Sequence, residues 1–284
     1  MRSIALITLL ISLISGCAFH NYGDDQLTLR RGTLGKDVIW VPTNLDIATK
    51  MLELAQVKKG DLVYDLGSGD GIIPIQAAKQ YGVRAVGIEY NPDLVALSQR
   101  NAIRENVQNL VTFRQGDIFV EDFSSATVLT LFLGDNLNLR LMPTILKMKP
   151  GTRVVSNTFR MDFWMPDQEV RLRPNEGTIG SLNEIAYLWI VPADIDGTWE
   201  LSGLLNLDKT TIRLIQKKQF FDGTINLQGR PQVTLENGRI QGSAVQFDFV
   251  VNDKKHSFKG QVNGSQLNGV LNGDSKLIVT GRRL

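Results

Sequence analysis

A chain of 284 residues is long enough for about two domains, and its 43% hydrophobic and 21% charged residues are ordinary for a soluble globular protein. The net charge of +2 comes from 31 basic and 29 acidic residues with no long Lys/Arg block to neutralise a phosphate backbone, so nucleic acid is a poor candidate partner. A single cysteine excludes an intrachain disulfide.

The N-terminus carries Arg2 and then the apolar run Ile4 to Ile14, too short to span a bilayer and of the right length for the core of a signal peptide, which implies export. Ile14-Ser15-Gly16-Cys17 resembles a bacterial lipobox, in which cleavage before Cys17 leaves that residue lipidated and the protein anchored to a membrane surface by acyl chains. Ala18 after the cysteine resembles the outer-membrane sorting pattern, so a periplasm-facing envelope lipoprotein is expected; an ordinary secretory signal with a chance cysteine is the alternative. The expected organisation is a signal peptide over 1–17, a polar linker over 18–36, an α/β domain over 37–192 and a β domain over 193–284.

After the linker, Thr43-Asn44-Leu45-Asp46 resembles a helix cap, and Ile47, Met51, Leu52 and Leu54-Ala55 continue at helical spacing. Val63-Tyr64-Asp65-Leu66-Gly67-Ser68-Gly69-Asp70-Gly71 is an apolar strand that breaks into alternate glycines and enters a helix, placing bare backbone where a ligand comes close. The spacing departs from the G-x-G-x-x-G of dinucleotide sites. It suits S-adenosylmethionine, whose carboxylate the loop amides could meet and whose ammonium and sulfonium Asp65 or Asp70 could attract. A bare strand-to-helix turn without ligand is the alternative.

Val83 to Ile88 reads as a second strand ending in Glu89, about twenty residues past the glycines, where an acid can bond ribose hydroxyls. Asn91 and Pro92 open a helix through Ser98, Asn101 and Ala102. Val111 to Gln115 is a third strand, and its end, Gly116-Asp117-Ile118, could hold the adenine amino group and ring. Ala126 to Leu133 and Arg153 to Ser156 are the next strands, running out in Gly134-Asp135-Asn136 and Asn157-Thr158-Phe159, two ends expected to face the transferable methyl. Glu169 to Leu172 and Ile185 to Val191 could close the sheet as an antiparallel pair. The alternation predicts a Rossmann-like, doubly wound, mostly parallel sheet.

Beyond Pro192 the runs Trp199 to Gly203, Thr211 to Gln216, Gln219 to Leu227, Arg239 to Val250, Ser257 to Val262, Gln266 to Leu271 and Lys276 to Gly281 alternate with Asp222-Gly223, Asn237-Gly238, Asn263-Gly264 and Asn272-Gly273. Such dipeptides are strong hairpin signals, so a smaller antiparallel all-β domain, a sandwich or barrel, is expected. His20 and His256 both fall outside the α/β region, so no Ser-His-Asp or Cys-His centre can be assembled there, and a His- or Cys-rich metal site is absent. His256 reads as a surface residue.

With these motifs in place, the segment from Asp37 to Pro192 resembles the class I, seven-β-strand S-adenosylmethionine-dependent methyltransferases, through the loop Asp65 to Gly71, Glu89, Gly116-Asp117 and Lys149-Pro150-Gly151. Trp40-Val41-Pro42-Thr43 and Asn138-Leu139-Arg140-Leu141 are similar to the branch containing the mitochondrial lysine methyltransferase of the ATP-synthase c-subunit and its bacterial relatives. The resemblance implies that Trp40, Pro42 and Thr43 lie over the cofactor and that the acceptor is a protein lysine ε-amine. Cofactor contacts are thus expected from Trp40, Pro42, Thr43, Asp65, Gly67, Ser68, Gly69, Asp70, Gly71, Glu89, Asp117 and Ile118. A lysine acceptor would need a dry, aromatic channel, for which Phe132, Phe159, Trp40 and Trp164 are available, and a group such as Asp135, Asn136 or Asn157 to orient the amine. A small-molecule methyltransferase and a binding lipoprotein without turnover are the competing expectations.

Overall fold

The computed structural model describes residues 23–172, 184–207, 209–227 and 231–284. The signal-peptide and Cys17 expectations, and His20, lie outside the described residues.

Seven strands form one sheet: β1 (Leu62–Leu66), β2 (Arg84–Glu89), β3 (Val111–Gln115), β4 (Val128–Leu131), β5 (Arg153–Asn157), β6 (Gln168–Arg171) and β7 (Ile185–Ile190). Their order is β3-β2-β1-β4-β5-β7-β6, with the first five parallel and β7 inserted antiparallel between β5 and β6. Four helices connect or precede them: α1 (Leu45–Leu54), α2 (Ile72–Tyr81), α3 (Pro92–Arg104) and α4 (Asp135–Ile145). The N-cap of α1 is Asn44, one residue past the expected Thr43. Asn91 caps α3 as expected, its side chain accepting from the Asp93 N–H at 2.9 Å.

Strand alternation splits the apolar residues between two layers. Val63, Ala85, Val111 and Val155 pack with Ile47, Met51 and Leu52 of α1 and with Ile73 and Ala77 of α2. Tyr64, Leu66, Ile88, Leu131 and Val154 face Leu137, Leu141 and Ile145 of α4. Trp164 belongs to this second layer. It is fully buried, its ring 6.2 Å from that of Trp189, whose Nε1 donates to the Trp164 carbonyl at 2.7 Å. A tryptophan committed to the core in this way is not available to an acceptor channel.

Eight further strands, β8 (Gly197–Ser202), β9 (Thr210–Lys217), β10 (Phe220–Asn226), β11 (Val233–Gln241), β12 (Ala244–Val251), β13 (Lys254–Asn263), β14 (Gln266–Leu271) and β15 (Ile278–Arg283), close into an antiparallel barrel. Its interior is packed with Trp199, Phe221, Phe247, Phe249 and Phe258; the Phe247 and Phe258 rings stack at 4.8 Å. Of the expected turns, Asn263-Gly264 and Asn272-Gly273 join strands, whereas Asp222-Gly223 lies within β10, and Asn237-Gly238 lies within β11 where the register shifts between Glu236 and Arg239. The run Arg239 to Val250 therefore spans two strands, turned at Gly242 with φ of 58°. The β12–β13 turn uses Asn252-Asp253, both at positive φ, without a glycine. His256 is buried rather than at the surface, with its ring stacked 5.2 Å from Phe249 and burial holding its pKa below the usual imidazole range.

The barrel meets the sheet domain through few polar contacts. The Gly242 turn lies against Gly151, and its carbonyl accepts at 2.7 Å from the N–H of Ala193, where the chain passes from the sheet into the barrel. Gln219 Nε2 donates to the Met165 carbonyl at 2.5 Å, and Arg239 Nη2 reaches Asp167 Oδ1 at 2.8 Å.

Candidate active site

The C-terminal ends of β1, β2 and β3 and the segment from Leu29 to Thr43 enclose a cavity of ≈ 470 Å³, within the range of ordinary small-molecule sites. Trp40, Pro42, Thr43, Asp65, Gly67, Ser68, Gly69, Asp70, Glu89, Asp117 and Ile118 all line it. Gly71 stands behind the lining, as the N-cap of α2 at φ of 82°; a Cβ there would meet Phe113 at 2.5 Å and Ser98 at 2.8 Å. Gly69 is tight for a different reason. At φ of 54°, a Cβ on it would sit 3.0 Å from the Trp40 indole nitrogen.

The loop amides are used inward. Gly67 and Ser68 N–H groups donate to the Ile88 carbonyl, Gly71 N–H to the Ser68 carbonyl, and Gly69 N–H to Glu89 Oε2 at 2.9 Å. Glu89 Oε1 accepts from the Asn91 N–H, also at 2.9 Å, so its carboxylate is fixed across the loop while it lines the cavity. These amides brace the turn itself, in contrast to the expectation that they would meet a ligand carboxylate.

Asp65 is the penultimate residue of the buried strand β1 and is itself buried. Loss of solvent raises its pKa to about 7; a 2.6 Å hydrogen bond from Thr130 Oγ1 opposes the rise, and the Asp70 and Glu89 charges add to it. Three acids thus converge on one side of the cavity, an environment that favours a positively charged ligand. Asn101 Nδ2 holds the Asp70 carbonyl at 2.8 Å, fixing the loop from α3.

Asp117 is not free to wait for an adenine amino group. Lys36 Nζ donates to its Oδ2 at 2.5 Å, and the Phe119 N–H to its Oδ1 at 3.0 Å; the lysine contact holds the Asp117 carboxyl below the usual range and raises Lys36. Lys36 also lies 5.2 Å from the centre of the Tyr90 ring. Lys36, Asp37 and Tyr90 all line the cavity, and none stands out in sequence, since a lysine in a polar linker carries no motif. The expected linker therefore supplies a strap over the site from Leu29 onward. Upstream, Asp24 pairs with Arg100 at 2.6 Å and Arg104 at 3.0 Å on α3; the Arg100 contact takes its pKa down to about 2.

Asp135 and Asn157 do not line the cavity. Asp135, exposed at the first turn of α4, accepts from the Arg160 N–H at 2.9 Å, and buried Asn157 accepts from Thr158 Oγ1 at 2.9 Å. Phe132 does line it and stacks on Phe159 with ring centres 5.8 Å apart, so the ends of β4 and β5 carry an aromatic border.

The family model described as the ANTKMT methyltransferase domain matches residues 65–168. A protein-lysine N-methyltransferase of Saccharolobus islandicus is 39% identical over 156 residues, which is 54% of this chain and 94% of that protein. The chain belongs to this methyltransferase family. A human lysine N-methyltransferase of the ATP-synthase c-subunit is 33% identical over 45% of the chain and 54% of its own length. The crystal structure of an RNA methyltransferase from Salinibacter ruber, in complex with S-adenosyl-L-homocysteine, shares 47% identity with a TM-score of 0.50, covering 55% of this chain and 96% of that one. The methyltransferase uses S-adenosylmethionine. Its cavity fits that cofactor on the volume, on the carboxylates at Asp65, Asp70 and Glu89, and on a glycine loop in which a side chain at position 69 would run into Trp40.

Proposed function

We propose that the chain methylates a lysine ε-amine of a protein acceptor. The observation that carries this is the cavity bordered by acids at three strand ends and by the Phe132–Phe159 pair, in a chain that matches a protein-lysine N-methyltransferase over nearly all of that protein's length. Asp65 and Asp70 would face the cationic end of the cofactor, Glu89 the ribose and Ile118 the adenine ring, with Asp117 holding the Lys36 strap at that edge; Gly67, Ser68, Gly69 and Gly71 shape the loop, and Trp40, Pro42 and Thr43 close over it. When bound, S-adenosylmethionine supplies a sulfonium-activated methyl group that needs no general base on the donor side.

The chain's own residues have three tasks. They align the acceptor nitrogen, exclude water, and lower the cost of an uncharged amine whose ordinary pKa is about 10.4. The aromatic border serves the second and third, because an apolar wall disfavours the ammonium form. Asp135 and Asn157 flank the border and would act by holding the turn after β5, through Arg160 and Thr158, that orients the amine.

The proposal extends to location: the enzyme works at a membrane surface, held there by acyl chains on Cys17. Arg2, the apolar run Ile4 to Ile14 and the lipobox-like segment ending in Cys17 support export and acylation. Among the described residues no helix is long and apolar enough to cross a membrane.

The experiment is incubation of the full chain with methyl-labelled S-adenosylmethionine and envelope protein, RNA or small-molecule extracts, followed by mass spectrometry of labelled sites. Label on lysine side chains supports the proposal. Label confined to RNA or small molecules overturns the acceptor, and calorimetry with no heat on adding S-adenosyl-L-homocysteine overturns the cofactor site.

A further inference from the structure

The barrel lies beyond the Saccharolobus islandicus relative, whose 156 aligned residues are 94% of that protein and too few for both the sheet and the barrel. Its polar contacts to the sheet domain fall largely on one segment, the turn that follows β5 on the acceptor side of the site. That segment starts at Phe159, stacked on cavity-lining Phe132, and runs to Asp167.

Gln219, only 1% exposed, donates to the Met165 carbonyl at 2.5 Å. Arg239 bonds Asp167 Oδ1 at 2.8 Å, and the Asp167 side chain, with 0% exposure, also accepts from the Ile190 N–H at 2.9 Å. A carboxylate so buried depends on its partners, so Arg239 sets where the end of this segment lies. Ahead of these fixed points Met161 and Trp164 are both fully buried and bridge each other, with Asp162 at φ of 45°. Phe163, between them, is 85% exposed, and Met165 is 56% exposed; on the barrel, Phe220 is 45% exposed, under the Arg239 guanidinium at 5.6 Å. A rigid turn that holds an aromatic ring in water gains stability when a partner covers it.

We propose that the barrel is a positioning module for the acceptor: Gln219 and Arg239 hold residues 158–168 so that Phe163 and Met165 contact the incoming protein next to its target lysine. The inference rests on the protein-acceptor proposal above. The occupant is the acceptor polypeptide, because the segment is continuous with the site through the Phe159–Phe132 stack, while Asp162 offset by Lys218 leaves the tip without the cationic excess that an anionic lipid surface attracts.

The test uses the full chain with Arg239→Met, Arg239→Lys and Phe163→Ser, and a fluorescent synthetic peptide bearing one lysine flanked by leucines. Peptide binding is read by anisotropy in the presence of S-adenosyl-L-homocysteine, turnover by methyl incorporation, and the turn by hydrogen exchange. Arg239→Met should speed exchange in residues 158–168 and raise peptide Kd and KM about tenfold, with cofactor Kd changed less than about twofold; Arg239→Lys should recover part of the loss. Phe163→Ser, a surface change that leaves the core intact, should raise peptide Kd about tenfold without changing exchange. Lower thermal stability in Arg239→Met with peptide affinity and exchange unaltered would reduce Arg239 to a structural contact and overturn the proposal. So would Phe163→Ser losing affinity for phosphatidylglycerol vesicles but not for the peptide. Failure of the lysine assignment shows separately, as peptide binding with the expected variant effects but no methyl on the lysine.

Discussion

Replacing Asp65 by Asn should stabilise the cofactor-free enzyme at alkaline pH and weaken its hold on S-adenosylmethionine. Burial raises the Asp65 pKa from 3.8 to about 7. The stability associated with its protonated form is fully present below the unfolded value and is lost as pH rises through the folded one. Over that interval the cost approaches about 4 kcal/mol, taking roughly 1.4 kcal/mol per pKa unit for a fully buried group. Wild-type protein without cofactor should therefore lose stability in urea between about pH 4 and pH 7, and the Asn variant should lack most of that slope. Cofactor binding works in the opposite sense: a cation next to Asp65 favours its ionised form, so wild-type binding near pH 6 should release up to about one proton and tighten as pH rises toward 7. Calorimetry in buffers of different ionisation enthalpy counts that proton. Identical pH slopes for wild type and variant, or binding with no proton release at pH 6, would refute the assignment of this carboxyl to the cationic end of the ligand.

Other consequences can be measured on the same protein. Thr130→Val removes the 2.6 Å hydrogen bond that favours the Asp65 carboxylate, so the pH dependence of cofactor affinity should move toward alkaline values in the same calorimetric series. Lys36→Met breaks the link between the strap and Asp117; because that pair is partly exposed, cofactor release followed by Trp40 fluorescence should quicken only by about two- to fivefold, and added salt should erase the difference from wild type. Arg153→Met strands the buried Asp61 carboxylate and leaves the carbonyls of Ala55 and Gln56 without their donor, so urea denaturation should show a loss of about 3–5 kcal/mol.

The fold was legible wherever local chemistry and burial agree. Strands at Val63 and Arg153 carry short buried apolar stretches and the strand at Val111 alternates buried Val111 and Phe113 with exposed polar residues, while α3 announces itself through Asn91-Pro92. The barrel's turns were only half legible. Asn237-Gly238 and Asp222-Gly223 supply residues tolerant of positive φ, yet one pair forms a bulge and the other sits within a paired strand, because barrel closure and register decide where the chain reverses. At the site, the strand-end acids and the glycine loop could be found because backbone geometry restricts residue choice there. Lys36, Tyr90 and Thr130 could not: each acts through a partner distant in sequence, such as Asp117, 81 residues away from Lys36. Trp164 and His256 show the converse, residues of chemical interest in a sequence that packing has absorbed.

Among the described residues, closing eight strands upon themselves leaves the C-terminal barrel with no row of unpaired amides for another chain to recruit. Among the described residues, that exposure is confined to the outer strands of the open sheet, β3 and β6. Both carry charged and polar side chains outward, Thr112, Arg114 and Gln115 on one and Gln168, Glu169 and Arg171 on the other, so association through strand addition would have to bury charge. The molecule is guarded against fibrillar growth by topology at one end and by electrostatics at the other.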